Sequence, residues 1–228
     1  MIVAIDGPAG SGKSTVAKAV AERLGIHHLD TGAMYRSVAL KALRAQVDLA
    51  DDALVGEIAR SAKIDLRVLD SASGTRQSAQ PPQVLLDGVD VTADIRTPMV
   101  DQAVSMVARL PQVREAMVSR QQEIGARISL VAEGRDVGTV VFPDAGVKVF
   151  LTASPEVRAA RRHRDLAHTG EKIEASAVGE MIDRRDEADR TRAVGPLAAA
   201  ADAEIIDTSD LTIDQVIDRV VDLVRSRS

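Results

Sequence analysis

Eight residues near the start of the chain combine glycine, lysine and serine at a spacing that suits phosphate binding. Residues 7–14 read Gly-Pro-Ala-Gly-Ser-Gly-Lys-Ser and match the pattern G-x-x-x-x-G-K-[ST]. Glycines allow the backbone to wrap around a phosphate with its N–H groups pointing inward. Lys13 would bring a positive charge to the β- and γ-phosphates, and the Ser14 hydroxyl would be a ligand of Mg²⁺.

The residues on both sides of this loop support the same interpretation. An apolar run at residues 2–5 precedes the loop, and apolar residues at helical spacing follow it from Val16 to Leu24. This strand–loop–helix context distinguishes a phosphate-binding loop from an ordinary glycine-rich turn, and the helix start adds a favourable dipole. We therefore expect a nucleoside triphosphate, ATP, to bind at Gly7, Pro8, Ala9, Gly10, Ser11, Gly12, Lys13, Ser14 and Thr15.

Composition limits the partners and the compartment. The chain has 228 residues, 45% of them hydrophobic, but only one Tyr, two Phe and no Trp, so the core must consist of Val, Leu, Ile and Ala. Cysteine is absent, which excludes disulfides and thiolate metal sites and fits a reducing compartment. The net charge of −5 argues against a nucleic-acid polymer as partner. We expect a cytoplasmic monomer with no signal peptide and no membrane span.

Strand and helix patterns alternate along the chain, which predicts an open parallel α/β sheet. Predicted strands cover residues 2–6, 26–29, 129–132, 147–151 and 204–206; predicted helices cover 13–24, 33–45, 51–61, a segment starting at Pro98, 111–127, 155–167, 176–192 and 212–225. Residues 64–69 and a hairpin at 83–92 around Asp87-Gly88 predict a small antiparallel insertion. The expected organisation is one domain, with a core at 1–63, 97–157 and 173–228, the insertion at about 64–96 and a lid at about 158–172.

Polar residues and arginines collect at the predicted strand ends and on two predicted helices. Polar residues follow three predicted strands, at 30–36, at 133–136 and at Ser154 with Arg158. Parallel sheets bind their ligands at the edge formed by the carboxyl ends of the strands. Four arginines (158, 161, 162 and 164) lie within seven residues, and four more (184, 185, 190 and 192) lie within nine. In an acidic chain these clusters suggest small anionic ligands, although solvated helix faces paired with Asp and Glu are an equally open alternative.

Three segments resemble motifs of the bacterial cytidylate kinases, a family of nucleoside monophosphate kinases. They are Asp-Thr-Gly-Ala-Met-Tyr-Arg at 30–36, Glu-Gly-Arg-Asp-Val-Gly-Thr-Val-Val-Phe-Pro-Asp at 133–144, and Arg185-Asp186-x-x-Asp189-Arg190-x-Arg192-Ala193. The first occurs in variants across nucleoside monophosphate kinases, whereas the second and third together are specific to this family. The resemblance covers essentially the whole chain, and it implies a P-loop NTPase-type parallel sheet flanked by helices, with a small antiparallel insertion and a helical lid.

The resemblance also implies an activity and a role for each matching residue. The implied activity is ATP-dependent phosphorylation of CMP and dCMP in pyrimidine nucleotide metabolism, with Mg²⁺. The acceptor phosphate would be held by Thr31, Arg36, Arg135 and Arg192, the cytosine edge read by Ser105, Arg114 and Asp136, and the sugar held by Arg185 and Asp189. Beside Lys13, the implied catalytic residues are the lid arginines Arg158, Arg161 and Arg162, of which one or more would close on the ATP phosphates.

The residue types fit this chemistry, although several alternatives stay open. Phosphoryl transfer depends on positioning and charge neutralisation, which Lys, Arg and Mg²⁺ supply. Glu133 could organise Mg²⁺ through water or merely support its loop; Arg36 could be a surface residue, Asp136 a strand-end cap, and Ser105 carries no local signal. The alternative functions are a kinase of another small acceptor, such as shikimate or another nucleoside monophosphate, and a nucleotide-binding switch module without turnover. A switch needs one nucleotide site, whereas this chain has arginine sets for two phosphate groups.

Overall fold

A five-stranded sheet carries the phosphate loop in the computed structural model, which describes residues 1–67, 83–168 and 174–227. The strands are β1 (Ile2–Asp6), β2 (His27–Asp30), β3 (Ile64–Arg67), β4 (Gln83–Leu86), β5 (Val89–Asp90), β6 (Leu130–Gly134), β7 (Val147–Thr152) and β8 (Glu204–Asp207). The α-helices are α1 (Lys13–Leu24), α2 (Thr31–Arg44), α3 (Asp52–Ser61), α4 (Pro98–Val107), α5 (Pro111–Gly125), α6 (Pro155–His168), α7 (Ala175–Thr191) and α8 (Ile213–Ser226).

The large sheet has the strand order β2-β6-β1-β7-β8. Strand β1 pairs in parallel with β6 on one side and with β7 on the other, and β7 pairs in parallel with β8. The carboxyl ends of these strands therefore lie at one edge, where the residues that follow β1, β6 and β7 come together. The prediction of a parallel sheet flanked by helices, with a small antiparallel sheet, is confirmed.

Aliphatic side chains form the core of the unit that comprises Met1–His28 and Ile124–Ser228. Val3 and Ile5 on β1 are fully buried, as is Leu151 on β7. Helices α1 and α8 cover this sheet with a stripe of valines, alanines and isoleucines at helical spacing. Helix α8 begins at a capping box. The Thr212 hydroxyl oxygen accepts the Gln215 backbone N–H, and the Gln215 side-chain oxygen accepts the Thr212 backbone N–H. The aliphatic core that composition predicted is present in this unit.

The second unit, Leu29–Glu123, contains helices α2 to α4, most of α5 and the antiparallel sheet β3-β4-β5. Helix α2 begins two residues earlier than predicted because the Asp30 side chain accepts a hydrogen bond from the Ala33 N–H and caps the helix. The predicted hairpin is present, with Asp87 at φ 52° and Gly88 at φ 86°, as a tight two-residue turn requires.

Some predicted elements begin or end at other residues than predicted, and some predicted segments lie partly outside the residues that the structure describes. Strand β2 begins one residue later than predicted and includes Asp30, and helix α5 ends at Gly125. Residues 68–82, which include the end of the predicted segment 64–69, lie outside the described residues, as do 169–173 of the predicted lid segment. The division into core, insertion and lid stays a prediction. Among the helices described, none has both the length and the apolar character needed to cross a membrane.

The hairpin turn allows a direct test of backbone strain. A Cβ on Gly88 would meet no atom within 4 Å, so the only cost of Gly88→Ala is its left-handed φ of 86°. We expect this substitution to lower the free energy of unfolding by about 1 kcal/mol in urea denaturation. The matched control is Gly146→Ala, because Gly146 lacks a positive φ and its Cβ would lie 4.0 Å from the Ile2 carbonyl oxygen. Equal losses in the two variants would contradict the turn assignment.

Candidate active site

The phosphate loop follows β1 and has a backbone that only glycine can adopt without strain. Gly10 and Gly12 have φ angles of 75° and 89°, in the left-handed region. A Cβ on Gly10 would lie 2.7 Å from the carbonyl oxygen of Arg158, and a Cβ on Gly7 would lie 2.0 Å from that of Leu151. The loop is therefore tightly packed against β7 and α6 as well as turned, and α1 begins directly after it at Lys13.

The Lys13 side chain is buried against the phosphate loop. Its Nζ donates a hydrogen bond to the Pro8 carbonyl oxygen at 2.7 Å. Burial and the nearby charge of Arg135 lower the pKa of this ammonium to about 7, against the opposing effect of Glu133. A bound phosphate would reverse this balance, because an adjacent anion favours the protonated lysine.

A short chain of hydrogen bonds connects Ser14 to Glu133 and His28. The Ser14 hydroxyl donates to Glu133 Oε2 at 2.6 Å, and His28 Nε2 lies 3.1 Å from Glu133 Oε1. Burial tends to raise the pKa of Glu133, but the hydrogen bonds from His28 and Ser14 and the charge of Lys13 outweigh it, so this pKa is lowered. Glu133 is therefore held as an ionised carboxylate beside the Ser14 hydroxyl.

This pair of oxygen ligands fits Mg²⁺. Within the described part of the chain, no three His, Cys, Asp or Glu residues form a group that could hold a metal. Mg²⁺ commonly binds through one or two protein oxygens and takes its other ligands from substrate phosphates and water. Ser14 and Glu133 supply oxygens of that kind at the phosphate loop.

Four residues named from the sequence are joined by ion pairs. Arg135 Nε lies 2.9 Å from Asp189 Oδ2, and Arg192 Nη2 lies 2.9 Å from Asp136 Oδ1. Arg192 also lies 3.8 Å from Asp189, so the two pairs form one network between the end of β6 and helix α7. Arg185 is half-buried on α7, and its charge contributes to the lowered pKa of Lys13.

Two of the predicted lid arginines are attached to the phosphate-loop region. Arg158 is 5% exposed; it forms an ion pair with Asp186 and donates to the Ala9 carbonyl oxygen at 3.3 Å. Asp186 in turn accepts a hydrogen bond from the Ala9 N–H at 2.9 Å. Arg161 donates to the Thr208 hydroxyl at 2.8 Å and to the Thr208 carbonyl at 2.7 Å.

Arg161 also approaches the phosphate loop directly, since its Nη1 lies 4.0 Å from the position that a Cβ on Gly12 would occupy. Arg162 is partly buried on the same helix. The sequence therefore identified a set of arginines next to the loop, but it did not indicate that Arg158 would be buried in an ion pair.

Asp6, the last residue of β1, holds the turn that follows β6. Its Oδ1 accepts from the Val137 N–H at 2.9 Å and its Oδ2 from the Gly138 N–H at 2.7 Å. Burial, helped by the charge of Asp136, raises the pKa of Asp6 to about 6, against the lowering effect of the two backbone hydrogen bonds and of Lys13. Residues Val137–Val141 form a short π-helical turn, which the sequence did not predict.

The second unit contains the other four residues named from the sequence. Thr31 is the first residue of α2 and is buried, and Ser105 is half-buried on α4. Arg36 donates to the Ile95 carbonyl oxygen at 2.9 Å and forms an ion pair with Asp101. Arg36 is therefore not a freely solvated surface residue.

Arg114 is the largest fully buried side chain of the described residues. Its guanidinium carbon lies 5.8 Å from the centre of the Tyr35 ring, which is a cation–π distance. Arg114 Nη1 also donates to the Ala108 carbonyl oxygen at 3.5 Å, so the buried guanidinium is held in a defined position.

Sequence reasoning missed Asp6, His28, Asp186 and Thr208. Each contacts a predicted site residue or the phosphate loop, but the partners are far apart in the sequence: Ala9 and Asp186 are separated by 177 residues. The one local signal was position, because Asp6 ends the first strand directly before the loop and Asp186 lies within the third motif.

Comparison with known proteins gives a consistent family. The model of the family described as cytidylate kinase matches residues 3–226. A cytidylate kinase of Pelotomaculum thermopropionicum is 49% identical over 219 residues, which is 96% of this chain and 93% of the relative. A cytidylate kinase of Corynebacterium glutamicum is 48% identical over 227 residues, 99% of this chain and 95% of the relative.

Among solved structures, the fold is similar to that of an uncharacterized protein from Eubacterium ventriosum. The TM-score is 0.54 at 14% sequence identity, and the match covers 100% of this chain and 99% of the other. At this identity the similarity concerns the fold alone.

The buried ion pair between α6 and α7 predicts a large stability difference between two neighbouring residues. Asp186→Ala would remove the buried ion-pair partner of Arg158, leaving it the exposed Asp183 at 3.7 Å, and would remove the acceptor of the Ala9 N–H, at a cost of about 3–5 kcal/mol. Glu187→Ala removes only an exposed pair with Arg190 and should change stability by less than about 0.5 kcal/mol. Urea denaturation followed by circular dichroism measures both, and similar losses would contradict the structural role of Asp186.

Proposed function

Because the chain belongs to the cytidylate kinase family, we propose a complete assignment of its substrates and site residues. The protein is a phosphotransferase that phosphorylates CMP. We propose ATP as the phosphoryl donor, dCMP as a second acceptor, Mg²⁺ as the metal, and a monomer that binds neither nucleic acid nor membrane. The observation that carries this proposal is the arginine network beside the phosphate loop, in which Arg135 is near enough to lower the pKa of Lys13.

Two separate sets of cations favour a kinase over a nucleotide-binding switch. One set consists of Lys13 and the phosphate-loop backbone, which suit the phosphates of ATP. The other consists of Arg135 and Arg192, which the carboxylates of Asp189 and Asp136 hold in defined positions. A switch that binds a single nucleotide has no use for the second set, whereas a kinase must bind a donor phosphate and an acceptor phosphate together.

On the donor side we assign residues 7–15 to ATP, with Lys13 at the β- and γ-phosphates. Ser14 and Glu133 would hold Mg²⁺, directly or through water, and the metal would neutralise charge on the phosphate oxygens. Arg158, Arg161 and Arg162 would stabilise the charge of the transferring group. Arg161 is the strongest of these three candidates, because its guanidinium lies beside Gly12.

On the acceptor side the assignments follow the chemistry of CMP. Arg135 and Arg192, with Thr31 and Arg36, would bind the acceptor phosphate, since arginine binds phosphate oxygens in a bidentate manner. Arg185 and Asp189 would bind the sugar hydroxyl groups. Asp136, Arg114 and Ser105 would recognise the base.

Cytosine presents a donor at N4 and acceptors at N3 and O2. The Asp136 carboxylate would accept a hydrogen bond from the N4 amine, the Arg114 guanidinium would donate to the two acceptors, and Ser105 would complete the set. Arg192 already holds Oδ1 of Asp136 at 2.9 Å, which orients the carboxylate.

The reaction requires positioning rather than a nucleophilic side chain. An oxygen of the acceptor phosphate attacks the γ-phosphorus, and the bond from that phosphorus to the β–γ bridging oxygen breaks. The arginines reduce the repulsion between the two anionic groups and so allow in-line approach. We propose that the lid, at about 158–172, excludes water, which would otherwise accept the phosphoryl group.

Lys13→Ala is expected to abolish turnover without unfolding the protein. The substitution removes a positive charge that acts on the β- and γ-phosphates, so kcat should fall by about 10³-fold or more. A coupled assay with ATP and CMP measures the loss, and circular dichroism checks the fold. Lys18→Ala, on the same helix, is the control and should keep kcat within about twofold. A Lys13 variant with wild-type kcat would refute the donor-site assignment.

The base-reading assignment predicts a preference for CMP over UMP. Uracil presents a carbonyl where cytosine has its amine, so Asp136 would be left facing an acceptor; the expected preference is about 10²-fold in kcat/KM. The wild-type assay uses a panel of nucleoside monophosphates, dCMP and shikimate, which also tests the substrate class. Asp136→Ala should lower kcat/KM for CMP far more than for UMP. An unchanged CMP/UMP ratio would show that specificity resides elsewhere.

A further inference from the structure

We propose that Asp6 is a positioning residue for base recognition, because its carboxylate fixes the turn that carries Asp136. This inference rests on the proposed role of Asp136 and extends it to a residue at the end of β1. Asp6 has no part in the motifs from which the site was predicted. It would act through the backbone that follows Asp136, without contacting the substrate itself.

The geometry joins Asp6 to this turn through two hydrogen bonds. Each carboxylate oxygen accepts one backbone N–H: Oδ1 takes that of Val137 at 2.9 Å and Oδ2 takes that of Gly138 at 2.7 Å. Asp6 is 4% exposed, so these bonds form away from water, where hydrogen bonds to a charged group are strongest. Two adjacent amides held by one carboxylate leave the turn little freedom to rotate.

Asp136 is consequently held from two directions. Its own side chain is bound by Arg192 from α7 at 2.9 Å, and the backbone immediately after it is bound by Asp6 from β1. The backbone of Asp136 has φ −145° and ψ 26°, outside both the strand and the helix regions. The Asp136 carbonyl oxygen accepts the N–H groups of Val140 at 2.9 Å and Val141 at 3.2 Å, and the two bonds to Asp6 add a constraint from β1 on the first two amides of the same turn.

The space around the turn is also restricted. A Cβ added to Gly138 would lie 3.4 Å from Asp6 Oδ2 and 3.3 Å from Lys148 Cδ. A side chain at this position would therefore be in close contact with both β1 and β7.

A carboxylate is chemically required for this task. Asparagine has one oxygen acceptor, and its NH₂ group would face the second N–H as donor against donor. Ionising Asp6 is unfavourable here, because burial and the charge of Asp136 raise its pKa to about 6. An apolar residue of similar volume would leave the buried N–H groups of Val137 and Gly138 without this acceptor.

The main alternative is that Asp6 acts on the phosphate loop, which begins at the next residue. The two roles differ in what they change. Disturbing the loop would raise KM for ATP and lower kcat equally with CMP and UMP. Disturbing the Asp136 turn would affect CMP more than UMP and leave KM for ATP nearly unchanged.

The experiment compares Asp6→Asn, Asp136→Ala and the double variant with the wild-type protein. We expect Asp6→Asn to reduce the CMP/UMP ratio of kcat/KM by about tenfold, with KM for ATP within about twofold of wild type. In the Asp136→Ala background, adding Asp6→Asn should change the ratio no further. Asp51→Asn is the matched control, because Asp51 also accepts a backbone N–H, from Leu54, but lies outside the assigned site.

The possible failures are distinguishable. If Asp136→Ala leaves the CMP/UMP ratio unchanged, the base-reading role is wrong and this inference is overturned with it. If Asp136→Ala compresses the ratio but Asp6→Asn does not, the role of Asp6 alone is overturned. The role of Asp6 is also overturned if Asp6→Asn still changes the ratio in the double variant, or if CMP and UMP lose activity equally.

A second variant covers the case in which Asp6→Asn does not fold. Gly138→Ala acts on the same turn from the other side, because its Cβ would lie 3.3 Å from Lys148 Cδ and 3.4 Å from Asp6 Oδ2, while Asp6 and the phosphate loop keep their sequence. It should also compress the CMP/UMP ratio and leave KM for ATP unchanged. Wild-type discrimination in this variant, with faster amide exchange at Val137 and Gly138, would overturn the proposal.

Discussion

The constraint on which this structure depends is the burial of several positive charges beside the phosphate loop. Lys13 and Arg158 are each less than a tenth exposed, and so is Arg192. Burying a charge is costly unless a partner of opposite sign accompanies it. The chain meets this requirement with carboxylates: Asp186 pairs with Arg158, and Asp136 pairs with Arg192. These pairs determine how the strand ends and helices α6 and α7 must be arranged.

Pairing of this kind also prepares the site for anionic ligands. A guanidinium that is held by a carboxylate is already oriented, so that little side-chain freedom is lost when a phosphate binds. At Lys13 the ammonium donates to the Pro8 carbonyl oxygen, and burial lowers its pKa to about 7. Its charge is therefore stabilised chiefly when phosphate is present, which concentrates its effect on the bound donor.

The sequence predicted most of the fold but only part of the site. Glycine, proline and capping residues have local effects, so the loop at 7–14, the turn at Asp87-Gly88 and the helix starting at Pro98 are found where predicted. The contacts that orient the site are between residues distant in sequence: 131 residues separate Asp6 from Val137. No local pattern encodes such a pair, and the π-helical turn that it holds has no periodicity of its own.

The location of the arginines on α6 follows from local spacing, whereas their individual roles depend on contacts with distant residues. Spacing placed Arg158 and Arg161 on one helix next to the loop, but it could not tell a phosphate ligand from a structural ion pair. Arg158 meets Asp186, and through it the Ala9 N–H, whereas Arg161 meets Thr208 at the end of β8. Each guanidinium thus connects α6 to a different part of the sheet edge. A ligand that drew either arginine toward phosphate would compete with these contacts, and its binding would then be energetically coupled to the packing of α6.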